Sequence, residues 1–321
     1  MRSAIAICLL MLVSPIAQAL QHHLLIVSGI GGTEAYQQQF SSQVEALKQA
    51  ALDAGFQRDN IVILAANSTN AEHRSADKQT VLQAIGEIDA RADPSDRVFV
   101  VLIGHGNPRG ESAVFNLPGP DISADELGTA LDRLGERQLV VINTASASGP
   151  FIKRLAASNR VIMTATASGQ EFHAPLFGGF LVKAFATSSA DRDKDDRISM
   201  LEAFDYARRE VRRSYDSDKR LLIEHALLDD NGDGEGSLDP GEYEDDGRLA
   251  NQVYLQQPPT AASGASPQLV AMLQRKRTLE QSIRELKRQR DNLDRGYYYD
   301  RLEGLLIDLA LLTRQIRTGD G

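Results

Sequence analysis

Thiols are nearly missing from this chain of 321 residues: its one cysteine, Cys8, stands in an N-terminal apolar stretch, and no tryptophan occurs. Once that stretch is removed, no disulfide, thiolate metal site or cysteine nucleophile can form. Basic charge is also in short supply. With 35 basic against 44 acidic side chains the net charge is -9, which offers no global attraction to phosphate backbones. No local basic patch is evident outside the C-terminal helical segment, so nucleic acid is not an expected partner. Phosphate and dinucleotide loops are absent: Gly29, Gly31 and Gly32 follow the first strand, but Glu34 stands where a Gly-x-Gly-x-x-Gly turn needs glycine. There is no lysine-bearing phosphate loop. A Gly-x-Ser-x-Gly elbow is missing too, since Ser146 has Thr144 and Ser148 two residues away.

Residues 1–19 read as a targeting segment. Arg2 is the positive start, Ala4 to Val13 the apolar core, and Ala17-Gln18-Ala19 a small-x-small cleavage site. The apolar core is too short for a comfortable membrane span of roughly 20 residues, and no later run reaches that length. The expected mature chain is therefore secreted or periplasmic, with no transmembrane segment and no thiol. From residue 20 to 256 short β-branched runs alternate with helical patterns. The runs at 23–28, 60–64, 97–103, 138–143 and 160–165 are nearly continuous, as in parallel strands covered on both faces. Helices are expected at about 36–54, 76–91, 123–134, 149–157 and 174–188. Ser75 is read as one start, and Ser123 with Glu126 as a capping box. This alternation predicts an α/β sheet with helices on both faces and ligand chemistry at the carboxyl ends of the strands.

Residues 257–267 form a Pro/Ala/Ser/Gly linker and mark a domain boundary. Beyond it, 268–318 carries Met272, Leu279, Ile283, Leu286 and Leu293, and then Leu302, Leu305, Leu309, Leu312 and Ile316, at heptad-like steps. Two readings fit: a helical hairpin with Gly296 near the turn, or an intermolecular coiled coil giving a homo-oligomer. Runs of two heptads do not decide between them.

Two strand ends carry the sharpest chemistry. Gly104-His105-Gly106 ends the third strand and sets an imidazole between residues that allow close backbone approach. Thr144-Ala145-Ser146-Ala147-Ser148-Gly149 follows the fourth, a hydroxyl-rich turn. A base and a nucleophile on neighbouring strand tips suit covalent catalysis. On these motifs the chain resembles the legumain-type cysteine peptidases of the caspase-like clan, from about Leu24 to Tyr215. Thr164-Ala165-Thr166 and Glu171 look like that family's fifth strand and following loop. Glu224-His-Ala-Leu-Leu-Asp-Asp-Asn-Gly-Asp-Gly234 is similar to a motif of bacterial secreted relatives. The resemblance implies a caspase-like parallel-sheet sandwich. It puts His105 at the catalytic histidine position and Ser146 at the nucleophile position, with Gly104, Gly106, Thr144 and Ser148 as residues lining a substrate cleft. Cysteine is replaced by Ser146, and the acidic pocket residue by Thr144. No carboxylate is evident to orient His105. A functional cysteine peptidase is therefore not expected, and the hydroxyls of Ser146 and Ser148 have turn chemistry as a competing role.

Two acidic loops remain. Asp191, Asp193, Asp195, Arg197 (through its carbonyl), Ser199 and Glu202 fall at positions 1, 3, 5, 7, 9 and 12 of an EF-hand-type loop, with Asp196 in the glycine slot. Asp229, Asn231, Asp233 and Glu235 begin a second loop at 229–240 with Gly234 in that slot, but Pro240 occupies position 12. That leaves its closing carboxylate missing unless Asp239 or Glu242 substitutes. Calcium is the implied structural cofactor. The remaining histidines show no helix-spaced pair with a third ligand, which argues against zinc. The reading favoured by the sequence is a catalytically degenerate peptidase homologue whose cleft binds a peptide, a protein or another envelope component. Its rivals are a serine-dependent hydrolase or transpeptidase using His105 and Ser146, and an assembly factor acting through the C-terminal helices.

Overall fold

The computed structural model describes residues 20–67, 69–241, 245–256 and 266–318. The expected targeting segment, Glu242 and the linker up to residue 265 lie outside the described residues. The five expected strands are β1 (His22–Ser28), β2 (Ile61–Ala65), β4 (Arg97–Ile103), β8 (Gln138–Asn143) and β9 (Arg160–Thr164). With β3 (Arg74–Ser75) and β10 (Leu227–Asp229) they make a seven-stranded sheet in the order β10-β9-β8-β4-β1-β2-β3. Every pairing is parallel except that of β10 with β9.

Because successive side chains point to opposite faces, each strand feeds two cores. Leu24, Ile26, Phe99, Val101, Val140 and Ile142 face one core. There they meet α1 (Glu34–Asp53), α5 (Phe177–Ala186) and α6 (Met200–Ser217). Leu25, Val27, Val98, Val100, Leu139 and Val141 face the other. That side is covered by α2 (Lys78–Arg91), α3 (Ala124–Leu131) and α4 (Phe151–Leu155). Burial on both faces explains the unbroken apolar runs in the strands.

Ser123 and Glu126 form the expected capping box at the start of α3. The start of α2 differs from expectation. Asp77, not Ser75, caps it, with its carboxylate accepting from Thr80 N at 2.9 Å. Ser75 instead pairs in β3. A carboxylate cap also meets the positive end of the helix dipole, an advantage a hydroxyl lacks. The sequence pattern did not reveal a small antiparallel sheet of β5 (Gly106–Arg109), β6 (Ser112–Phe115) and β7 (Ile122–Ser123). Its strands are too short for a period to register.

The C-terminal segment forms α7 (Pro267–Arg288) and α8 (Arg295–Thr318). They pack on each other through Ile283, Leu286, Tyr298 and Leu305. The pair also touches the main domain: Glu280 meets Arg197 at 3.0 Å, and Lys276 Nζ donates to Asp195 O at 2.9 Å. No helix among the described residues is long and apolar enough to cross a membrane.

Candidate active site

Parallel register sets the tips of β4 and β8 side by side, with Leu102 opposite Asn143. Beyond them come His105 and the turn from Thr144 to Gly149. The His105 ring is held edge-on by Tyr36 and Phe40 of α1, at 4.8 and 5.1 Å between centroids. Its Nε2 lies 3.2 Å from the carbonyl oxygen of Gly31. Burial lowers its pKa, and the hydrogen bond to Gly31 opposes that shift. Among the described residues no carboxylate hydrogen-bonds His105.

Ser146 is buried, and its hydroxyl is engaged by one neighbour on both sides. Oγ donates to the Gly106 carbonyl at 3.0 Å and accepts from the Gly106 amide at 3.2 Å. No hydrogen bond joins Ser146 to His105. Ala147, next in the chain, is held at φ 54°, a left-handed conformation uncommon for alanine. Its amide donates to the Glu171 carbonyl at 2.9 Å, which fixes the turn against the loop after β9.

The other cleft candidates face inward. Thr144 Oγ1 donates to Leu102 O at 2.9 Å, and Ser148 Oγ accepts from the amides of Ala165 and Thr166 at 3.1 and 3.2 Å. Both residues are buried. A Cβ at Gly104 would sit 2.9 Å from the Phe115 ring, and one at Gly106 would sit 2.6 Å from Ser146 O and 2.8 Å from Val114 O. The close approach these glycines permit is thus between parts of the chain itself.

A second histidine lies on the adjoining loop, in a pairing that sequence spacing could not show. His225 Nδ1 is 3.1 Å from Glu171 Oε1, and His225 N donates to Glu171 Oε2 at 2.9 Å. The neighbouring Glu224 accepts from the amides of Leu176 and Phe177 at the start of α5. Burial raises its pKa. Glu224 and His225 line a cavity of about 570 Å³ with Phe177, Arg208, Arg209 and Arg212. His173, by contrast, lies tilted against the ring of the exposed Phe172.

In the first acidic loop Asp191, Asp193 and Asp195 each bring an oxygen within 4.8 Å of the others. Asp196, in the glycine slot, takes φ 66°, as the loop requires. Glu202 Oε1 accepts from Arg192 N and Asp193 N at 2.8 and 3.3 Å, while its Oε2 closes a capping box with Ser199. Loss of hydration, then the charges of Asp195 and Glu202, raises Asp193 to about 7. In the second loop Asp239, the proposed closing residue, is exposed and turned to Arg208 at 3.2 Å. Its exposed ion pair removes it from the loop.

A mostly parallel seven-stranded sheet clothed on both faces, with histidine and hydroxyl residues at neighbouring strand tips, defines an α/β protein with its polar groups at the carboxyl ends of the strands. Residues 75–220 match the model of the Peptidase C13 family, the legumain family. A crystal structure of a Geobacter sulfurreducens protein is similar at 12% identity and a TM-score of 0.45, covering 65% of this chain and 92% of that one. A search of the curated proteins finds no match.

Proposed function

We propose that this chain is a secreted or periplasmic, legumain-related protein that has lost peptidase chemistry and binds a peptide or another envelope component at its strand-tip face. The observation that carries the reading is the bonding of Ser146. A nucleophilic hydroxyl needs a base within about 2.6–3.2 Å to take its proton, whereas this one gives its proton to the Gly106 carbonyl. His105 is turned to Gly31, and among the described residues no carboxylate orients it.

The decisive experiment treats the purified protein, the Ser146→Ala variant and the His105→Ala variant with a fluorophosphonate probe and a panel of peptide and ester substrates. No labelling and no turnover are expected from any of them. Labelling or turnover by the native protein that both substitutions abolish would make this a serine-dependent hydrolase and overturn the proposal.

Calcium at Asp191–Glu202 belongs to the same reading, as a structural ion. Three carboxylates within 4.8 Å and the left-handed backbone at Lys194 and Asp196 fit a hard cation held by oxygen. Affinity is expected in the range of roughly 10⁻⁴ to 10⁻³ M that suits extracellular modules. Calorimetry should show a calcium-dependent rise in unfolding temperature, made smaller by a double substitution Asp191→Ala with Glu202→Ala.

A further inference from the structure

The second acidic loop repeats the first residue by residue, although its twelfth position holds proline. In the first loop the amide at position 5 donates to the side chain at position 3, Asp195 N to Asp193 Oδ1 at 3.1 Å. In the second, Asp233 N donates to Asn231 Oδ1 at 2.8 Å. Position 7 donates to position 5 in both: Arg197 N to Asp195 Oδ1 at 2.8 Å, and Glu235 N to Asp233 Oδ1 at 2.7 Å. Position 6 donates to position 1 in both, Asp196 N to Asp191 Oδ2 at 3.0 Å and Gly234 N to Asp229 Oδ2 at 2.9 Å. Positions 4 and 6 are left-handed in each loop, Lys194 and Asp196 at φ 58° and 66°, Gly232 and Gly234 at 83° and 80°.

The missing carboxylate returns from further along the chain. Glu202 closes the first loop by accepting the amides of positions 2 and 3. In the second loop Asp246 Oδ1 accepts from Asp230 N, position 2, at 3.0 Å. Asp230 ties the same segment down from the other side, accepting from Gly247 N and Ala250 N at 2.9 and 2.7 Å. Asp246 is buried, unlike Asp239.

One difference points to a ligand. In the first loop both oxygens of Asp191 are taken by amides. In the second, Asp229 is fully buried and its Oδ1 has no hydrogen-bond partner. A buried acceptor left bare is costly, and a divalent cation held by oxygen would satisfy it.

We infer that Asp229, Asn231, Asp233 and the Glu235 carbonyl form a second calcium site, closed by Asp246 in place of a position-12 carboxylate. The ion would pin Asp246 to the loop after β10, which follows the Glu224–His225 wall of the cavity. The inference is independent of the peptidase-like reading.

The test titrates calcium chloride by calorimetry into the full chain carrying Asp191→Asn and Asp193→Asn, which silences the first loop. One site is expected to remain. Adding Asp246→Asn should weaken it at least about tenfold, since affinity follows ligand charge count, while adding Asp239→Asn should leave it unchanged. Absence of binding in the first-loop variant, or equal affinity with and without Asp246→Asn, overturns the assignment. Failure of the first loop alone would appear as native protein binding no more calcium than that variant. If Asp246→Asn does not fold, hydrogen exchange on the first-loop variant replaces it. Calcium should slow exchange at the Asp230, Asn231 and Gly234 amides, and unchanged rates there would overturn the assignment.

Discussion

A serine hydroxyl offers one proton and two lone pairs, and at Ser146 the Gly106 carbonyl takes the proton while the Gly106 amide fills a lone pair. Ser146→Cys should therefore give a buried thiol and no measurable cleavage of fluorogenic peptides; turnover by that variant would show that the imidazole can still reach the nucleophile. Gly106→Ala should destabilise the fold by about 1–3 kcal/mol, because its Cβ meets two backbone oxygens that cannot give way. An unchanged denaturant midpoint would refute that packing argument. Another residue-scale outcome concerns acid. His22 is buried against Phe56 and Phe99, and burial, then Arg97, lowers its pKa to about 3. The unfolded chain binds this proton near pH 6.5. Its contribution is thus complete above about pH 6.5 and is lost as pH falls toward 3. His22→Gln should flatten that acid limb by up to a few kcal/mol, read from urea midpoints between pH 4 and 7; an unaltered slope would place the acid sensitivity elsewhere.

Among the elements, α6 begins on a residue with two tasks. Glu202 completes the capping box with Ser199 through Oε2 and turns Oε1 back over the first acidic loop. Glutamine serves a capping box nearly as well as glutamate but brings no charge to a cation. Glu202→Gln should accordingly keep calcium-free stability within about 1 kcal/mol of the native protein and remove the first loop's share of the stabilisation by calcium. Glu202→Ala should lose both. Equal calcium-induced shifts in native protein and Glu202→Gln would remove this residue from the site.

At the scale of the whole molecule, the C-terminal pair has its own apolar seam and touches the main domain through Lys276 and Glu280. The main sheet draws its cores from residues before 256. A chain ending before Ser266 is expected to unfold cooperatively, with its melting temperature lowered by only a few degrees. A largely unfolded product would show that α7 and α8 complete the fold. Sedimentation of the native protein tests self-association separately, since Leu306, Ile307 and Leu311 are exposed on α8.

The sequence by itself determined the five inner strands of the main sheet, the approximate helix positions and the two acidic loops, because each follows from period or spacing over neighbouring residues. Burial on both faces wrote β4 and β8 as unbroken apolar runs, and the Ser123 cap needed only Glu126. Only the tertiary structure decided what the side chains do. That Ser146 bonds to Gly106 rather than His105, that Glu171 meets His225, and that Asp246 closes a loop begun at Asp229 are contacts between segments far apart in the chain. Periodicity carries no information about such pairs. They are set by how the β4 and β8 tips, the loop after β9 and the edge strand β10 are brought together by packing.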